Sequence, residues 1–196
     1  MEFDFLSPLD DEILEFINSL SSQNLGSKVV LHTNEDFPDL DKIKLAIIGV
    51  KENRGSHIEI ENTKLSHIRK ELYGLFPGNW EASIADLGNI LAGAAIEDTY
   101  FALRKVVASL LKMKIIPIVI GGSQDLTYPL YRAYDELEQM VNLVSIDNKF
   151  DFGDANKPLS ANSYLTKMIV EEPNNLFNYS NLGYQTYYNS QEEIDL

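Results

Sequence analysis

IIPIVIGGSQDLTYP, residues 115–129, joins a six-residue apolar run to two glycines and then to a segment of helical pattern. A short, wholly apolar run bounded by glycine reads as a strand buried on both faces, and the glycines read as the turn that leaves it. The segment that follows, Leu126 to Met140, reads as a helix. Similar runs occur at LAIIGV (Leu45 to Val50) and VNLVSID (Val141 to Asp147), with a shorter one at SIAD (Ser83 to Asp86). Between them, Thr99 to Met113 places Tyr100, Leu103, Val106, Val107, Leu110 and Leu111 at helical spacing. Strands alternating with helices predict an α/β fold of three layers, α/β/α, around a mainly parallel sheet. One sheet is expected to hold Leu45 to Val50, Ile116 to Ile120 and Leu143 to Asp147, with the Gly121 and Asp147 loops at the same edge, where such sheets bind ligands.

Outside this block, Asp10 to Ser21 reads as an amphipathic helix with acids in its first turn, inside a peripheral N-terminal extension of residues 1–40. Lys28 to His32 reads as a short strand. After Gly153 a helix is expected near Ser160 to Val170, a strand near Leu176 to Leu182, and a helix start at Ser190-Gln191-Glu192-Glu193. A length of 196 residues suits one domain, 1–196.

Composition removes several function classes. A net charge of −14 with dispersed acids repels a phosphate backbone, so nucleic acid is not expected as a partner. No apolar run reaches the roughly 18 residues of a membrane span, and the acidic N-terminus is unlike a signal peptide. The expected compartment is the cytoplasm, with no membrane contact. Absence of cysteine excludes disulfides, thiolate metal sites and cysteine nucleophiles.

Three strand ends carry polar chemistry. The Gly49 to Ser56 loop (GVKENRGS) lacks the Lys-Ser/Thr of a phosphate-binding loop, because Gly55 is followed by Ser56 and His57. Gly121-Gly122-Ser123-Gln124-Asp125 resembles a nucleophile elbow but has Asp125 where the last glycine belongs, and all three histidines precede it. Ser123 and Asp125 read more simply as helix-capping groups. Asp147-Asn148-Lys149-Phe150-Asp151 puts charged residues at alternate positions, which share a face in extended chain. That pattern suits either a divalent cation, if residue 149 were a ligand, or an acidic loop with an internal ion pair. An ammonium has no lone pair for a metal, so Lys149 is expected to replace the cation, with its ammonium within salt-bridge distance of Asp147 or Asp151.

In order and spacing these segments resemble the ureohydrolases: arginase, agmatinase and formiminoglutamase. DLGNI (Asp86 to Ile90) resembles the family's D-x-G-D/N segment, IPIVIGGSQDLTYP (Ile116 to Pro129) its strand-GGDHS-helix motif, and VNLVSIDNKFDFG (Val141 to Gly153) its strand ending in D-A-H-x-D. The likeness spans Lys44 to Gly153, with wording closest to formiminoglutamase-like members.

The resemblance implies that active members use two manganese ions to activate a hydroxide against a guanidinium or formimino carbon. Carried over, the first-half ligand positions are Gln124, Asp147, Lys149 and Asp151, so both histidines are replaced. Asp147 and Asp151 are the only metal ligands that remain, if metal is bound, and no catalytic residue can be assigned. A charge of one and a charge of two at 4 Å repel by about 8 kcal/mol at an effective dielectric near 20, so Lys149 opposes a metal. The second pair of metal-binding aspartates implied by the resemblance has no counterpart after Gly153, so the arginase-like fold is expected to be truncated. The resulting expectation is a non-catalytic binding or structural protein without a cofactor. The alternative is a manganese-dependent hydrolase of C–N bonds in formimino or guanidino compounds. A half-sheet leaves an unpaired edge, so a homo-oligomer or a covering partner chain is expected, and a small-molecule ligand is compatible with the crevice.

Overall fold

A computed structural model describes residues 3–56, 64–79 and 83–195; His57 lies outside the described residues. The chain divides into two compact units, one drawn from residues 1–52 and 60–122 and the other from 53–59 and 123–196.

In the first unit the central strands are β3 (Leu45–Val50) and β4 (Ile84–Ile90), flanked by β1 (Leu6–Ser7), β2 (Val30–Leu31) and β5 (Ile116–Ile120). The order is β1-β4-β3-β5, with β2 also paired to β4. β3 runs parallel to β4 and β5, while β1 meets β4 antiparallel, Leu6 opposite Ile90. Every residue of β4 is buried, as a strand covered on both faces requires. Helix α3 (Ile96–Lys112) buries Thr99, Leu103, Val106, Val107 and Leu110, the i, i+4, i+7 stripe legible in the sequence. Helix α1 (Asp11–Ser19) turns Ile13 and Ile17 into a core shared with Leu9, Val29, Ile47, Tyr73 and Ile84. The first 40 residues therefore supply two short strands to the sheet as well as a helix.

Helix α2 (Leu65–Gly74) buries Leu65, Arg69 and Tyr73, four residues apart on one stripe. Arg69 is 1% exposed. Its guanidinium donates to Asp86 through Nε at 2.7 Å and Nη2 at 3.0 Å, to the Gly88 carbonyl at 2.9 Å, and to Asn89 Oδ1 at 2.8 Å. Tyr73 donates its hydroxyl to the same carboxylate. Burial, first, and the Asp86 charge, second, hold that phenol protonated far above its ordinary range. DLGNI is thus a structural knot in this chain. Gly88 is required in it: its φ is +81°, and a Cβ there would lie 1.9 Å from the Ser7 carbonyl oxygen.

In the second unit β6 (Val141–Ile146) pairs in parallel with β7 (Leu176–Leu182). Helices α4 (Thr127–Asp135) and α5 (Tyr164–Val170) supply Tyr131, Tyr164, Leu165 and Met168 to a core that also takes Val141, Leu143, Leu176 and Tyr179. α4 is shorter than the helix expected to reach Met140, because the chain turns after Asp135 and Glu138 adopts a left-handed φ of +54°. Helix α6 (Gln191–Ile194) begins at Ser190 with a reciprocal cap to Glu193.

The mixed α/β class and the mainly parallel pairing agree with the sequence reading. Within the first unit β3 and β5 share a sheet as expected, and within the second unit β6 pairs with β7. Buried apolar strands specify which faces need covering, but not which strand lies beside which. No described helix is long and apolar enough to cross a membrane.

Candidate functional site

The four positions singled out from the sequence all fall in the second unit. Gly121 and Gly122 leave β5 with φ of +88° and +78°, and the turn runs into a short 3-10 segment, Gln124–Leu126, that starts α4. Asp147 to Asp151 continues directly from β6.

Gln124 reaches Asp147. Its Nε2 donates to Asp147 Oδ2 at 2.6 Å and to the Tyr164 hydroxyl at 3.2 Å. An ionised carboxylate only accepts, so the amide nitrogen rather than the carbonyl must face it. The other oxygen, Oδ1, accepts the backbone N–H of Lys149 at 3.0 Å. Both oxygens of Asp147 are thereby engaged by protein donors.

Asp151 is different. It is 6% exposed, its φ is +58°, and its Oδ2 is buried with no hydrogen-bond partner. Burial pushes its carboxyl up to about 6, the Asp147 charge adds to this, and Lys149 pulls the other way. The Lys149 ammonium forms no ion pair with Asp147 or Asp151 among the described residues, so it acts on Asp151 only at longer range. The internal ion pair that the D-x-K-x-D spacing allowed is absent from these residues.

Residues that the sequence reading passed over hold this loop in place. Asn181 Nδ2 donates to the Lys149 carbonyl at 2.6 Å. Asn189 accepts from Phe150 N–H at 2.9 Å and donates to the Asn148 carbonyl at 2.9 Å and the Gln185 carbonyl at 2.8 Å. The Phe150 ring packs against Phe152 and Tyr184, with centroids 5.8 and 4.8 Å apart. An isolated asparagine carries no periodic signal, so only the folded backbone identifies these clamps.

A cavity of about 420 Å³ lies in the same unit, lined by Arg54, Ser56, Lys157, Ser160, Asn162 and Ser163 among others. Its walls are tied together: Ala161 N–H donates to the Gly55 carbonyl at 2.9 Å, and the Ser160 and Ser163 hydroxyls bond at 2.9 Å. A Cβ on Gly55 would fall within 2.5 Å of the buried Asp125 carboxylate, so this wall needs glycine. Among the described residues no group of three or more His, Cys, Asp or Glu is placed to hold a metal ion.

A family model of the arginases matches residues 55–195. No curated protein matches the sequence. Among solved structures, formiminoglutamase of Trypanosoma cruzi with manganese is 18% identical, with a TM-score of 0.72 over 88% of this chain and 61% of that one. Formimidoylglutamase of Bacillus subtilis is 18% identical, with a TM-score of 0.69 over 82% and 54%. A hypothetical agmatinase from Burkholderia thailandensis is also 18% identical, with a TM-score of 0.64 over 77% and 53%. The chain thus spans just over half to about three-fifths of the length of these structures, and at such identity the likeness is one of fold.

Proposed function

The chain belongs to the arginase family, and we propose that within it the chain is a non-catalytic binding protein whose metal position at Asp147 is closed by hydrogen bonds from Gln124 and the Lys149 backbone. The observation that carries this reading is the Gln124 amide on Asp147, which puts a donor where a cation would need an acceptor. The residues present do not fit the manganese pair named for the Trypanosoma cruzi neighbour. One carboxylate is already engaged on both oxygens, the second stands alone, and residue 149 carries a positive charge that would repel the ion.

Binding is assigned to the cavity lined by Arg54, Lys157, Asp154, serine hydroxyls and Asn162, which none of the four metal positions lines; two cationic side chains against one carboxylate suit it to a small anionic ligand held by charge-assisted hydrogen bonds. No bond-breaking step is assigned to it.

The deciding experiment measures metal content and turnover together. Purified protein with added manganese should hold far less than one equivalent and should hydrolyse neither formimino nor guanidino compounds. Gln124→His combined with Lys149→His restores imidazole at both positions and should raise manganese affinity by at least tenfold. One observation favours a second reading, a manganese-dependent C–N hydrolase: the buried, unpartnered oxygen of Asp151 is the kind of acceptor that a cation satisfies. Stoichiometric manganese with turnover in the unmodified protein would establish that reading instead.

A further inference from the structure

The cavity that carries Arg54 and Lys157 is built from three short stretches of the second unit, Arg54 to Ser56, Gly153 to Leu159 and Ser160 to Ser163. The last of these ties the other two together. Ala161 N–H donates to the Gly55 carbonyl at 2.9 Å, and the Asn162 carbonyl accepts from Gly153 N–H at 2.8 Å. Adjacent residues thus fasten one wall on each side. Ser160 and Ser163 stiffen the turn that does so, since the Ser163 hydroxyl accepts Ser160 N–H at 3.1 Å and bonds the Ser160 hydroxyl at 2.9 Å.

The two outer walls are backed differently. A Cβ on Gly153 would meet the Asn162 carbonyl oxygen, so that wall rests on the same turn it bonds. On Gly55 the three atoms nearest a Cβ all belong to the Asp125 carboxylate, within 2.5 Å. The carboxylate therefore fills the volume that a side chain at position 55 would take. Gly55 does not have a left-handed φ, so glycine is needed there for space and not for backbone conformation.

Asp125 is fully buried and does not line the cavity. It touches no ligand there and acts on the cavity only through Gly55. The 3-10 segment that presents it, Gln124–Leu126, is itself anchored one residue earlier by the Gln124 amide on Asp147. A short, tightly packed segment of this kind transmits its position to whatever it packs against.

We infer that Asp125 is a positioning residue for the anion cavity: its carboxylate, packed on Gly55, holds the Arg54–Ser56 wall where Gly55 can bond Ala161. The importance of that wall for a ligand rests on the binding function proposed above, whereas the contact itself does not.

Suppression between the two positions reads this contact. Gly55→Ala and Asp125→Ala should each loosen the wall, the first by a clash and the second by a void. Each should speed exchange of the Ala161 amide about tenfold and weaken binding of inorganic phosphate, measured by calorimetry, about tenfold. In the double variant the new methyl enters the space the carboxylate left, so both readings should return most of the way to the parent. Gly55→Ala with Asp125→Asn keeps the bulk at position 125 and should not recover. A residue that only stabilised helix α4 would give additive losses. Asp125→Ser takes the place of Asp125→Ala if the alanine variants do not fold. A parent that binds no phosphate refutes the binding function, and the Ala161 exchange, read without any anion, still decides the contact. Unchanged Ala161 exchange in Asp125→Ala, or losses that add in the double variant, would overturn the inference.

Discussion

Replacing Asp151 by asparagine should stabilise the chelator-treated protein above pH 6. The Asp151 carboxyl stands at about 6 in the folded chain against 3.8 for the free group, because burial and the Asp147 charge both disfavour its ionised form. The folded state therefore holds a proton that the unfolded state releases as pH rises from about 4 to about 6. Stability falls across that window and stays lower above it. The full difference corresponds to about 3 kcal/mol, and screening by the solvent that still reaches the group brings it to about 1–2 kcal/mol. The amide removes the charge, leaves no former partner of Oδ2 stranded, and tolerates the left-handed φ of +58° at this position. Urea unfolding at pH 4, 5, 6, 7 and 8 is the assay. The variant and the parent should match at pH 4 and diverge in the variant's favour by pH 7. If Asp151→Asn instead costs stability at pH 7 and added manganese widens the gap, Asp151 is a working ligand and the reading of a closed site is wrong.

Arg69→Ala should cost about 3–5 kcal/mol, read as a lower urea midpoint, because it strands the fully buried Asp86 carboxylate. Gly88→Ala should be at least as damaging, since the added methyl meets the Ser7 carbonyl at 1.9 Å and the backbone has φ +81°; soluble, cooperatively unfolding protein would contradict the β1–β4 pairing. Asn189→Ala removes three hydrogen bonds to the 148–150 and 185 backbone. It should cost about 1–2 kcal/mol and speed amide exchange at Phe150, and unchanged exchange there would remove Asn189 from the account. Gly55→Ala should weaken binding of an anionic ligand at the Arg54–Lys157 cavity, measured by calorimetry, because the wall cannot keep its place against Asp125.

The strands LAIIGV and IPIVI, the long helix over Ile96–Lys112 and the loop chemistry of residues 121–125 and 147–151 were all legible in the sequence. Their signals are local: apolar runs, helical periodicity and glycine at a left-handed turn each depend on near neighbours along the chain. DLGNI was recognised as a motif, but only the fold reveals that Arg69 and Tyr73 of α2 complete it, since a buried ion pair spanning 17 residues leaves no spacing rule to read. The same limit applies to Asn181 and Asn189, which clamp the 147–151 loop from as far as 41 residues away. Identity at positions 124 and 149 excluded imidazole without any structure. Which side of the Gln124 amide meets Asp147, and that Lys149 stays out of ion-pairing range, are matters of side-chain direction that packing alone decides. Strand order belongs to the same class: apolar content requires β6 to be covered, but only the folded backbone pairs it with β7, because hydrogen-bond partners in a parallel sheet are chosen by the path of the chain between them.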